Sequence, residues 1–305
     1  MKPDLKVTIA GVDFANPIMT ASGCSGYGEE LSGLYPLSKL GALLTKTITP
    51  EPREGHPPPR TAETASGMLN AIGLANVGVD RFIEEKVPFL RKQKTKIIVN
   101  VGGRTVDEYV TLCDRLSGLD CVDMIELNLG CPNVDEGGMQ FGSDPAMTER
   151  TVREAKQVCR CPLIAKLTPN VTDITATARA AEQGGADVLS LINSLVGMAV
   201  DVQTWRPVLT YNRGGLTGPA IKPVALAQVD AVCNAVNLPV IGIGGIADFR
   251  DVVEFLLVGA SAVQIGTTLF VEPDAPLKIV NGLKQYMKEK NISQVSDLVG
   301  RVRKY

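Results

Sequence analysis

The chain has 305 residues, 45% of them hydrophobic and 21% charged, with a net charge of −2, which is enough material for a large core. Scattered basic residues and only 5% aromatics argue against a nucleic-acid surface, an anionic-membrane surface or a base-stacking platform. No apolar run is long enough to span a membrane, the N-terminus lacks a signal-peptide core, and seven cysteines beside one histidine show no framework or ligand spacing; the expectation is a reduced, cytoplasmic protein with no metal or iron–sulfur centre of its own.

In chain order, "KVTIAGVDFANP" (6–17) alternates like a β-hairpin. Eight short apolar runs follow: "PIMTAS" (17–22), "ALLTKTI" (42–48), "KIIVNVGG" (96–103), "MIELNLGC" (124–131), "LIAKLTPN" (163–170), "VLSLINSL" (188–195), "PVIGIGGI" (239–246) and "AVQIGTTL" (262–269). Nearly continuous apolar strands suit a parallel sheet covered on its outer face by helices. Helical spacing recurs between them at 106–118, 144–159, 172–186 and 247–260, with Thr172 or Asp173 and Asp248 as helix starts and Gly184, Gly185 and Gly259 as stops. Eight strand-then-helix units predict an α/β fold, a (β/α)8 TIM barrel, spanning residues 1–305 as one domain, with the hairpin capping its bottom. The connections after strands 2, 4 and 6 are long. Those near 49–76 and 196–221 exceed what a βα unit needs, and long loops at C-terminal strand ends are where barrel chemistry sits.

The strand ends carry Ala21, Ser22 and Gly23; Lys46 and Thr47; Asn100; Asn128; Lys166; Asn193 and Ser194; Gly244 and Gly245; and Gly266 and Thr267. Two lysines and three asparagines at the ends of apolar strands predict a polar ligand site in one mouth. Glycines after strands seven and eight, ahead of helix starts, suit a phosphate. Lys166 fits either a fixed cation beside a cofactor ring or a structural ion pair with a neighbouring carboxylate. His56, alone in "EGHPPPR", reads as an exposed loop residue, which leaves cysteine or lysine for proton transfer. Cys24, Cys113, Cys121, Cys159, Cys161 and Cys233 read mostly as packing residues. Cys131 alone ends a barrel strand, on a loop with Gly137, Gly138 and Gly142 as hinges and "DEGGMQFG" as a lid.

Taken together, "NLGCPNV…GG…FG.DP", "AKLTPNVTDI", "INSLVGM", "GGLTGPAIKPVAL" and "IGIGGI" resemble the class 1 dihydroorotate dehydrogenases, FMN-dependent barrels of pyrimidine biosynthesis, over nearly the whole chain. "TPNVTDI" and "GGLTGPAIKPVAL" look more like the 1B type, whose FMN subunit, a homodimer within a heterotetramer, pairs with a subunit carrying FAD and a 2Fe–2S cluster and passes electrons to NAD⁺. The 1A type is a homodimer using fumarate, and class 2 relatives carry serine where this chain has Cys131. The resemblance implies that Cys131 is the base taking the C5 proton of dihydroorotate while the C6 hydride passes to N5 of FMN, giving orotate. It implies substrate contacts at Lys46, Asn70, Ala71, Ile72, Gly73, Leu74, Asn128, Asn133, Asn193 and Ser194. FMN contacts are implied at Ser22, Lys46, Thr47, Asn100, Asn128, Lys166, Ile192 and Gly218, with phosphate at Gly244, Gly245, Gly266 and Thr267. A thiolate serves as base only if its pKa falls towards working pH from about 8.5. Departures from the pattern are Thr20, Cys24 and Ser25 near the flavin, Gly130 before Cys131, and the acidic "DEGG" at 135–138. A dihydropyrimidine dehydrogenase-type subunit shares the cysteine loop and "AKLTPNVTDI" but acts on a substrate lacking the carboxylate, and a phosphate-ligand-binding barrel without catalysis would share the cradle alone.

Overall fold

A computed structural model describes residues 3–130 and 139–305. Strands β1 (Val7–Ile9) and β2 (Val12–Phe14) form the expected antiparallel hairpin. Barrel strands one and two are β3 (Ile18–Thr20) and β4 (Ala42–Leu44). An excursion with β5 (Thr61–Thr64) and β6 (Gly67–Asn70) precedes barrel strands β7 (Lys96–Val101), β8 (Met124–Asn128), β9 (Leu163–Lys166) and β10 (Val188–Leu191). A second excursion holds β11 (Leu195–Gly197), β12 (Val200–Asp201), β13 (Arg206–Pro207) and β14 (Gly214–Thr217), before β15 (Val240–Ile243) and β16 (Ala262–Ile265) complete the ring. The eight parallel strands close in the order β3-β4-β7-β8-β9-β10-β15-β16. All eight expected runs became barrel strands.

The barrel closes because each strand divides its residues by parity. On β8, Ile125 and Leu127 point outward into the main core, while Met124, Glu126 and Asn128 alternate inward. The outer face is covered by α1 (Val106–Ser117), α2 (Pro145–Val158), α3 (Ile174–Gln183), α4 (Lys222–Cys233), α5 (Phe249–Leu257) and α6 (Ala275–Glu289). The expected helices are shorter than their sequence patterns because caps end them. Thr105, Asp144 and Asp173 accept first-turn amides of α1, α2 and α3, and Asp248 forms a capping box with Asp251 at α5.

Inside, the bottom layer is apolar. Met19, Ala42, Leu44, Ile98, Met124, Ile164, Val188, Ile241 and Ala262 pack on Ile9 and Phe14 of the hairpin, which plugs the lower opening. At the other end the two long excursions are not irregular, as their sequences suggest. They pair into one four-stranded antiparallel sheet, β11-β14-β6-β5, with a small core of Leu69, Ala71 and Leu209. His56 is half-buried rather than exposed, its ring stacked 4.0 Å from that of Tyr211. Among the described residues no helix is long and apolar enough to cross a membrane.

Candidate active site

A cavity of about 420 Å³ opens at the C-terminal end of the barrel, roofed by the four-stranded sheet through Thr61, Met68, Asn70 and Thr217. Its walls bring together Ser22, Lys46, Thr47, Ile72, Gly73, Leu74, Asn128, Lys166, Ile192, Asn193, Ser194, Gly218, Gly244, Gly245, Gly266 and Thr267. Two predicted residues do not reach the wall. Ala71 is fully buried in the roof, its amide donating to Arg60. Asn100 is fully buried one layer below the cavity. Cys131, Asn133 and the "DEGG" stretch lie outside the described residues.

The side chains of the mouth are tied to one another. Asn193 Nδ2 donates to Asn128 Oδ1 (2.9 Å), Asn128 Nδ2 reaches Thr47 Oγ1 (3.4 Å), and Thr47 lies 3.4 Å from Ser22 Oγ. The Ser194 amide closes onto Asn193 Oδ1 at 2.9 Å. Four strand ends therefore hold one continuous polar rim. The loops are pinned by two asparagines that no motif or spacing marks out. Asn76 spans Thr49, Leu74 and Gly78, and Asn170 spans Thr168, Ser194 and Val196.

Three glycine turns converge on one wall. Gly245 has φ +74°, and a Cβ there would stand 2.7 Å from Lys222 Cβ, 2.8 Å from its amide and 3.0 Å from the Gly218 carbonyl. No other residue fits that turn without strain. The following loop is held by Asp251, whose carboxylate accepts from Lys222 Nζ (2.6 Å) and from the amides of Ala247 and Asp248. Burial opposes that charge, but these donors outweigh it and keep the Asp251 carboxyl below its ordinary range.

Both lysines line the mouth. Lys166 is 6% exposed and its Nζ lies 3.8 Å from Glu126 Oε1. The ion pair with a carboxylate is thus present, and the same side chain lines the cavity. Cys24 lines the cavity rather than packing remotely, and burial pushes its thiol up against the pull of Lys166 and Lys46. Thr20 and Ser25, two departures from the family pattern, satisfy each other, their hydroxyls 3.1 Å apart while the Leu44 amide donates to Thr20. At the described end of the β8 loop, Gly130 marks a close approach, because a Cβ would lie 2.5 Å from Thr168 Cβ. The end of the expected lid, residues 139–142, falls in a short helix, Met139–Ser143, with Gly142 packed on the Leu129 carbonyl and Phe141 edge-on to Tyr109. Away from the site, the topology sets Cys113 beside the C-x-C pair, and Cys159 and Cys161 bring their sulfurs to 3.9 Å.

Besides Asn76 and Asn170, Glu126 also went unmarked by its sequence context. It is fully buried inside the barrel and accepts from Asn100 Nδ2 (2.7 Å), Ser190 Oγ (2.8 Å) and Gln264 Nε2 (2.7 Å). The available signal was parity. In "MIELN" a carboxylate occupies the inward phase shared by Met124 and Asn128.

The sequence model of the family described as "Dihydroorotate dehydrogenase" matches residues 4–287. The chain is 51% identical over 300 residues to a protein of Pelobacter propionicus named "Dihydroorotate dehydrogenase B (NAD(+)), catalytic subunit", covering 98% of this chain and 99% of that one. Proteins of the same name from a Geobacter species and from Alkaliphilus metalliredigens are each 50% identical over 299 residues, covering 98% of this chain and 98% and 99% of theirs. Among solved structures, a DHODH of Eimeria tenella in complex with ferulenol superposes with a TM-score of 0.81 at 22% identity, over 98% of this chain and 88% of that one. At that identity the likeness speaks for the barrel alone.

Proposed function

Because the chain belongs to the dihydroorotate dehydrogenase family, we propose that its cavity binds FMN and dihydroorotate together, and that the chain works as the catalytic subunit of an NAD-linked complex. It is an oxidoreductase that converts dihydroorotate to orotate in pyrimidine biosynthesis. The observation that carries the site reading is the shared mouth, in which the asparagine rim, Lys46, Lys166 and the glycine turns all face one cavity.

The residues present fit FMN. Gly218, Gly244, Gly245 and Gly266 leave backbone, without obstructing side chains, where a phosphate needs N–H donors, and Thr267 adds a hydroxyl beside them. Ile192, Ile243 and Met68 offer apolar surface for a ring, and Lys166 a cation beside it. Bound FMN supplies the hydride acceptor. The protein's part is to hold and to move a proton. Asn70, Asn128, Asn193 and Ser194 both donate and accept, as a cyclic amide edge requires, and Lys46 suits the substrate carboxylate. Cys131 takes the C5 proton in this reading, with Asn133 completing the substrate contacts.

The test is anaerobic bleaching of the yellow protein. Dihydroorotate should bleach it rapidly. Bleaching by dihydrouracil alone would mean a dihydropyrimidine dehydrogenase-type subunit, and bleaching by neither would mean a binding barrel. For the acceptor, the relatives' shared name supports a partner-dependent route to NAD⁺. The full reading is a homodimer of this chain within a cytoplasmic heterotetramer, the partner carrying FAD and a 2Fe–2S cluster, with the whole of 1–305 serving as one FMN-binding domain. Phe270, which lines the cavity and is 59% exposed, and Val271, 84% exposed, form an apolar corner that suits such a partner. Efficient fumarate reduction by a preparation holding FMN alone would move the protein to the 1A type.

A further inference from the structure

Between the apolar plug and the cavity, the barrel interior contains a polar layer made of Asn100, Glu126, Ser190 and Gln264, each fully buried. A carboxylate there is costly unless it is both hydrogen-bonded and paired with a cation. Glu126 has both. Three donors lie at 2.7–2.8 Å, and Lys166 Nζ at 3.8 Å. An ionised carboxylate only accepts, so it dictates the orientation of the two amides beside it. Turning either amide over would set its oxygen against a carboxylate oxygen at hydrogen-bond distance. Asn100 and Gln264 must therefore present nitrogen to Glu126. Their oxygens, Asn100 Oδ1 and Gln264 Oε1, are consequently buried with no partner among the described residues. A core that leaves two acceptors unpaired while satisfying one carboxylate three times is organised around the carboxylate.

Lys166 connects this layer to the site. It lines the cavity, and Glu126 is the carboxylate beneath it. Together they make the floor a neutral pair with its positive end towards the ligand. We propose that Glu126 is the positioning residue of the cavity floor: it fixes the polarity of Asn100 and Gln264, anchors the Lys166 ammonium, and through Lys166 sets the electron affinity of the flavin. This rests on the FMN reading above.

The test compares the flavin-loaded wild-type complex with E126Q, K166M and the double variant, by flavin midpoint potential and by melting temperature with and without FMN. In E126Q the Lys166 charge is no longer offset, so the two-electron reduction equilibrium should move at least tenfold towards the reduced flavin, an upward shift of about 30 mV. K166M should shift it downward. In the K166M background, adding E126Q should change the potential by less than a third of its effect in the wild type. Half a buried pair is worse than none, so the double variant should melt above E126Q. Equal shifts in both backgrounds, or strictly additive melting losses, would overturn the proposal. If E126Q does not retain flavin, the flavin-free melting comparison decides by the same criterion. A wild-type preparation that holds no FMN, or that dihydroorotate does not bleach, refutes the functional reading instead, and the melting cycle still tests the pairing of Glu126 with Lys166.

Discussion

At the scale of single residues, proton removal and anion binding make separable demands. Cys131→Ala should keep FMN bound yet slow flavin reduction by dihydroorotate by at least about 100-fold, the usual yield of a positioned base; stopped-flow reduction at wild-type rates would reject the role, and Cys131→Ser should lose less. Gly245→Ala should weaken FMN binding at least tenfold without touching the substrate contacts, because its φ of +74° and the Lys222 amide at 2.8 Å from a Cβ leave no unstrained place for a methyl group. Flavin titration of the apoprotein measures it. Strand-end residues such as Lys46, Asn128 and Gly244 were legible because a barrel gathers its C-terminal strand ends into one mouth. Asn76 and Asn170 were not, since their work is to bridge loops distant in sequence, and Glu126 was hidden by its apolar neighbours.

At the scale of elements, the strand runs were legible because parallel barrel strands are buried on both faces and read as unbroken apolar segments. The excursions were not. The pairing of β6 with β14 joins Asn70 to Gly215, far apart in the chain, and nothing local in either segment specifies that partner. The hairpin makes a direct prediction. Phe14→Ala should cost about 3–5 kcal/mol by opening the bottom layer, read as a lower urea midpoint with the cavity chemistry retained. The start of α5 makes another. Because the Asp251 carboxyl is held below its ordinary value, its contribution is fully present above about pH 4 and fades as pH falls through that range and below. Asp251→Asn should therefore melt a few degrees below wild type at pH 7, and the two curves should converge on acidification. A gap that does not narrow as pH falls below about 4 would contradict that account.

At the scale of the whole molecule, the proposed function has substrate and electron partner both reaching one cavity, and the structure offers an apolar corner at Val271 distinct from the sheet that roofs the mouth. Val271→Glu should weaken co-purification of the partner subunit while dihydroorotate still bleaches the flavin, and unchanged complex recovery would place the interface elsewhere. The His56–Tyr211 stack has a use of another kind. It joins the first excursion to the second, and His56 is the only histidine among 305 residues. Its imidazole protons therefore give a single, self-assigned pair of NMR signals, displaced by the ring current of Tyr211. Following that pair during substrate titration reports whether the roof stays shut or parts at its seam, in a protein too large for routine assignment, without introducing any label.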